Sequence, residues 1–254
     1  MTRSILLSAL VAGAALAAAT PASAATISFT GSNSSTDGTD GNVRVFSGGG
    51  VNLQATAWSY NSSNTLVKSY LGRYSSGLGV TNPSEGNGAS NNSHTIDNVS
   101  QKDFVLLVFD KAVNISSAVL TPYDVASGPN DNDATVSYAT ASLFASPTPS
   151  YTSISTANPV FATLLANDWV VSGNTSPNYS TALNSAGKFG NVWLIGASFA
   201  NPDRYADGFK LSSITFTAAP PPGVPEPATW AMLISGFGLA GVAMRRRQSV
   251  AFAA

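Results

Sequence analysis

The chain has no cysteine, a single histidine and few charges: only 10% of its 254 residues are Asp, Glu, Lys or Arg. Without cysteine there is no disulfide framework, no thiolate zinc site, no iron–sulfur cluster and no Cys nucleophile. A formal net charge of −1, with most Lys and Arg scattered, leaves no basic footprint for nucleic acid, so DNA and RNA are excluded as partners. No long aliphatic run crosses the middle of the chain, so any membrane contact belongs to its ends. Ordinary domains are about one-quarter charged. Here the polar surface must come from Ser, Thr, Asn and Gly, and Ser plus Thr alone make up roughly 23% of the chain, a composition that favours turns and strands over helices.

Both ends read as addresses. Arg3, the apolar stretch 5–19, Pro21 and the small residues Ala22-Ser23-Ala24 have the layout of a secretory signal peptide. Residues 1–24 are therefore expected to be removed by signal peptidase after Ala24. At the other end, residues 218–227 read AAPPPGVPEP, a Pro-rich linker held extended because proline cannot donate to a helix or a ladder. Residues 228–244 carry no charge, and Arg245, Arg246 and Arg247 follow directly. Seventeen residues at ~1.5 Å each span roughly 26 Å, which predicts a short transmembrane helix. Residues 245–254 would then form a basic cytoplasmic tail, with the body on the opposite side of the inner membrane.

Val224-Pro225-Glu226-Pro227, Trp230-Ala231-Met232, a glycine-bearing span and the arginine cluster resemble the PEP-CTERM sorting signal in its PEPxxWA variant, a tail also described as an ice-binding protein C-terminal domain. The resemblance covers about 30 residues. It implies processing by an exosortase, a membrane transpeptidase-like enzyme often found with exopolysaccharide production. Pro225, Glu226, Pro227, Trp230 and the arginine triplet would be its recognition elements, and the tail would be cut away, as in other removable anchor signals.

The body, residues 25–217, is mildly acidic, near −4 from 8 Lys and Arg against 12 Asp and Glu. Short alternating or β-branched runs bounded by turn residues predict strands at 26–30, 42–46, 51–59, 66–71, 104–109, 113–121, 134–144, 169–172, 192–199 and 209–217. The run 104–109, FVLLVF, is apolar on both faces and marks a central strand covered on both sides. FATLLANDW at 161–169 is the one expected helix. This pattern predicts an all-β, antiparallel β-sandwich or jelly-roll-like body. No repeat of 20–50 residues recurs, which argues against a solenoid and against ice binding through regular Thr ladders. The stretch from Gly77 to Tyr123, with 131–139 and 207–217, is similar to bodies of exosortase-dependent surface proteins, which implies a surface protein without known catalysis.

Asp and Asn crowd the turns around the central strand. Calcium takes six to eight hard oxygens, and Asp97, Asn98, Asp131, Asp133 and Asp207 are the candidate ligands, although their spacing matches neither an EF-hand nor a nonapeptide repeat; capping and solvating turns would use the same residues. His94 near Asp97 could act as a general base, yet no G-x-S-x-G elbow accompanies it. Trp58, Tyr60, Tyr70, Tyr74, Trp169 and Trp193 are candidate stacking platforms for sugar rings, or core residues.

These readings converge on an exported, non-enzymatic protein of the cell envelope or exopolysaccharide matrix, sorted and cleaved by an exosortase. The alternatives are a calcium-stabilised carbohydrate-binding module, with polysaccharide as partner, and a secreted hydrolase.

Overall fold

A computed structural model describes residues 23–87, 94–126, 128–143, 155–176, 178–220 and 227–251. The predicted leader up to residue 22, and Pro225 and Glu226 of the tail, lie outside the described residues. Residues 22–219 form one compact unit, and the C-terminal helix belongs to another.

The body contains β1 (Ala25–Ser28), β2 (Arg44–Gly48), β3 (Val51–Tyr60), β4 (Leu66–Tyr74), β5 (Gly77–Thr81), β6 (Ile96–Asp97), β7 (Lys102–Pro122), β8 (Ala134–Ala139), β9 (Trp169–Val171), β10 (Ser180–Ala182), β11 (Gly190–Ala197) and β12 (Gly208–Ala218). A 3-10 turn spans Pro83–Glu85, and one helix, α1, covers Pro159–Ala166. Every pair among these strands is antiparallel. The all-β antiparallel body is therefore as expected. Its strands belong to one continuous sheet, and nothing in their pairing singles out a jelly-roll order.

The sheet closes on itself because β7 is long enough to serve both halves. Its first part, Lys102–Phe109, lies between β3 and β11; its second part, Val113–Pro122, pairs with β12 and β10. The sequence pattern suggests two strands here, at 104–109 and 113–121. They are one 21-residue strand, and Asp110 marks the passage between the halves by accepting hydrogen bonds from the Asn52 backbone and amide nitrogens.

Alternate residues of the first half feed two cores. Val105, Leu107 and Phe109 face the main core with Leu53, Ala55, Trp193 and Ile195. Phe104, Leu106 and Val108 face a second core with Trp58, Val192 and Leu194, roofed by Val160, Phe161 and Leu164 of α1. Asn158 starts α1 by accepting from the Val160 amide, and Pro159 sits in the first turn, where its missing N–H costs nothing. The helix ends at Ala166, so Trp169 belongs to β9, unlike the expected 161–169.

β5, sequence GLGVT, escapes a propensity reading because two of its five residues are glycine. The fold requires them. A Cβ at Gly79 would collide with the His94 carbonyl, and Gly77 has φ +126° where a Cβ would strike the Leu211 backbone.

The C-terminal helix, α2, spans Pro227–Ala251 and runs through the arginine triplet instead of stopping before it. Among the described residues, no helix is long and apolar enough to cross a membrane. This corrects the transmembrane helix expected at 228–244. The uncharged stretch is shorter than a ~30 Å hydrocarbon core, and Ser235, Gly236, Gly238 and Gly241 dilute its apolar surface.

Candidate functional site

The predicted metal ligands separate into two clusters, because consecutive turn residues point to different places. Asp131 and Asp133 leave β7 through a turn and enter β8; Asp207 opens β12. A parallel bridge between Asp131 and Asp207, with the Gly208 amide donating to the Asp131 carbonyl at 2.8 Å, brings these loops together. Carboxylate oxygens of Asp131, Asp133 and Asp207 all lie within 4.8 Å of one another. Asn98 locks onto the third acid from both sides: its Nδ2 donates to Asp207 Oδ2 at 2.6 Å, and its Oδ1 accepts from the Asp207 amide at 3.0 Å. The Asp133 amide donates to Asp207 Oδ1 at 3.0 Å, and the Gly173 amide donates to Asp133 Oδ1 at 2.9 Å.

Four of the five predicted ligands thus meet in one place. Their electrostatics is that of crowded acids. Burial, then the charges of Asp131 and Asp133, push Asp207 up to about 8. Burial, a hydrogen bond with Asp203 and the charge of Asp133 push Asp131 up to about 6, and burial raises Asp133 as well. Lowering this repulsion takes either protons or a cation. The oxygens are of the hard type that calcium uses, and each carboxylate oxygen that accepts one N–H keeps a second lone pair.

Asp97 is absent from that group. It sits with Glu85 and Asp103 in a second, deeper cluster, where carboxylate oxygens again come within 4.8 Å. Asp97 accepts from Thr95 Oγ1 at 2.8 Å and from the Val99 amide at 3.1 Å. Asp103 is fully buried and accepts from Asn82 Nδ2 at 3.2 Å to each oxygen. The Glu85 carboxylate returns to the Asn82 amide at 2.7 Å, completing a capping box around the 3-10 turn. Lys210 enters from β12, 1% exposed, donates to the His94 carbonyl at 2.7 Å and lies over the rings of Tyr74 and Tyr123 at 4.6 and 4.4 Å. Burial pushes Lys210 down to about 7, while burial raises Glu85 to about 8, Asp97 to about 6 and Asp103 well above the carboxylate range. The hydrogen bonds and the ammonium make this a satisfied structural centre that ties β6, β7 and β12 together. Glu85, Asp103 and Lys210 are the members that were not among the candidate site residues read from the sequence. The only available signal was a lysine inside the apolar alternation of β12, GFKLSSITFT.

His94 packs its ring on Tyr74, with ring centres 4.8 Å apart. The candidate sugar platforms resolve into two groups. Trp58, Trp193, Tyr70 and Tyr74 are buried and belong to the interior, which removes them as platforms. Trp169 remains partly exposed and lines a cleft; Tyr60, 9% exposed and otherwise part of the interior, lines a second one.

In the C-terminal unit, Pro227 opens α2, Trp230 is half-exposed, and Arg245 is exposed. Together with the residues just before it, this segment decides the assignment. Residues 223–247 match the PEP-CTERM protein-sorting motif. The PEP-CTERM motif marks an exported protein with an exosortase as its processing partner, destined for the cell envelope or beyond. No curated protein and no solved structure matches the chain, and the motif covers the tail and not the body. Ala24, the predicted signal-peptidase site, is exposed and lies directly before β1.

Proposed function

We propose that this chain is a non-enzymatic envelope or extracellular-matrix protein. In this reading a β body is delivered through the membrane by a cleavable leader and released or relocated when an exosortase cuts at the PEP-CTERM segment. The observation that carries it is the motif at 223–247, supported by the separation of the chain into a compact body and a tail unit. The leader reading gains support from the position of Ala24, since a cut there leaves β1 intact.

Engagement with the inner membrane would be transient. A stretch of ~26 Å is too short and too glycine-rich to hold position alone, so the arginine cluster and the enzyme's own helices would set its depth. Glu226 stands between two prolines in the sequence, the element the exosortase would recognise.

Intact mass of the mature protein from cells with and without the exosortase tests this. Two cuts are expected in the first case and only the leader cut in the second, and Glu226→Ala should reproduce the second mass in normal cells. An identical mass in both strains would overturn the reading.

A second proposal attaches to the body. Asp131, Asp133 and Asp207, with Asn98 beside them, would hold a calcium ion that relieves their mutual repulsion and stabilises the loops leading into β8 and β12.

A further inference from the structure

We propose that the body binds a neutral polysaccharide in two adjoining clefts that share Asp168. The first cleft, about 340 Å³, lies at β9, the last strand in the sheet order, where no further strand pairs and a long ligand has access. Trp169 and Tyr138 form its apolar wall, with ring centres 6.2 Å apart and planes at 63°. Asn167, Asp168, Ser185 and Lys188 supply its polar rim.

The second cleft, about 260 Å³, is lined by Tyr60, Phe199 and Leu165 on the apolar side and by Asn64, Lys102 and again Asp168 on the polar side. Each therefore repeats the same chemistry: aromatic carbon on one side, an amide, a lysine and a common carboxylate on the other. A pyranose ring presents one flat face of C–H groups and an equatorial belt of hydroxyls, and this lining is complementary to it. The volumes are those of small-ligand sites. Two such clefts meeting at one acid suit a chain of sugars better than a single one.

Fixed walls favour binding. The Trp169 indole N–H is already committed to the Leu183 carbonyl at 2.8 Å, and Tyr138 is held from behind by Trp193, with ring centres 5.5 Å apart. Asn184 fixes the loop carrying Ser185 and Lys188 through bonds to the Lys188 amide and carbonyl. The rings therefore meet a ligand without first losing side-chain freedom. Local charge is one carboxylate against two lysines, too balanced to concentrate a polyanion.

Affinity electrophoresis tests the proposal. The full chain would be run in gels cast with hydroxyethyl cellulose, xylan, galactomannan or dextran, beside Asp168→Ala and Ala186→Trp. Both positions are exposed, so both variants keep the fold; the second fills the first cleft. The wild type should be retarded by at least one polymer, and each variant should lose at least tenfold in apparent affinity. Because Trp58 and Trp193 are buried, Trp169 is the tryptophan of the body that a ligand can reach. Addition of the retarding polymer should change its fluorescence, and Trp169→Phe should abolish the change. Failure of all four polymers to retard the wild type, equal retardation of the variants, or retardation abolished by 0.5 M salt would each overturn the proposal. The last outcome would mean that charge, and not the apolar walls, holds the polymer. The export reading does not depend on this result.

Discussion

Asp207 shows how a single residue sets the behaviour of its surroundings. Burial and the neighbouring acids push its carboxyl up to about 8, and burial and Asp203 push that of Asp131 up to about 6, both above the ~3.9 of an unfolded aspartate. The folded body therefore binds more protons than the unfolded chain throughout this window, so the associated stability is complete below pH 4 and drains away as pH rises through 6 and 8. Lys210, depressed to about 7, works in the opposite direction above that pH, so the informative quantity is the difference between wild type and Asp207→Asn. In chelator, the wild-type denaturant midpoint should fall from pH 5 to pH 8 more steeply than that of the variant. Millimolar calcium at pH 8 should restore the wild-type midpoint and leave the variant unmoved. An unchanged wild-type midpoint would show that the cluster takes no calcium. Asn82 is the second residue to test. It caps the 3-10 turn and is the donor to both oxygens of Asp103. Asn82→Ala leaves a buried carboxyl without those bonds and should cost about 2 kcal/mol or more in urea unfolding. Asp131, Asp133, Asp207 and Asn98, grouped from the sequence because they lie in recognisable turns, do meet in space. Sequence reading failed for Asp97, Glu85 and Lys210 because their meeting depends on which strands pair across the closed sheet, information that no local pattern holds.

At the scale of elements, legibility followed the regularity of the side-chain pattern. The doubly apolar run at 104–109 announced a strand covered on both faces, and it separates two cores. The covering element, α1, was visible as a short helix, although its end was read three residues too far, since Trp169 has the same apolar character in a helix or a strand. β5, β6 and β10 were invisible. The first is rich in glycine for steric reasons, and the other two have only two and three residues, too few for any period. Phe161 packs on Trp58 with ring centres 4.9 Å apart and is 4% exposed. Phe161→Ala should therefore cost about 3–5 kcal/mol, read as a lower thermal midpoint, whereas the exposed neighbour Leu165→Ala should cost far less. Gly79→Ala should be worse tolerated than its size suggests, because the carbonyl it would strike belongs to the His94 backbone, which also serves Lys210. Poor yield of folded protein in Gly79→Ala, beside normal yield of Gly238→Ala, where an added Cβ meets nothing within 4 Å, is the expected comparison.

For the whole molecule, the two ends and the middle answer to different physics. The tail was legible as a signal because sorting depends on linear order: proline, acid, apolar residues, arginines. That linear signal did not settle how the tail meets a bilayer. Counting uncharged residues overstated the span, because small and hydroxylated side chains fill length without adding apolar area. The body has no such linear grammar. The site proposed for it is assembled from distant segments, with Asp168 lining one cleft beside Trp169 and another beside Tyr60.

β1 begins beside the predicted leader site and pairs residue for residue with β12, the last strand before the tail, from Ala25 opposite Phe216 to Ser28 opposite Ser213. A chain threading out of a translocation pore cannot finish this closure until its 218th residue has emerged. Maturation should thus be post-translocational and all-or-none, with protease resistance acquired in a single step. A secretion arrest placed at residue 200 should leave the exported portion as digestible as a random coil.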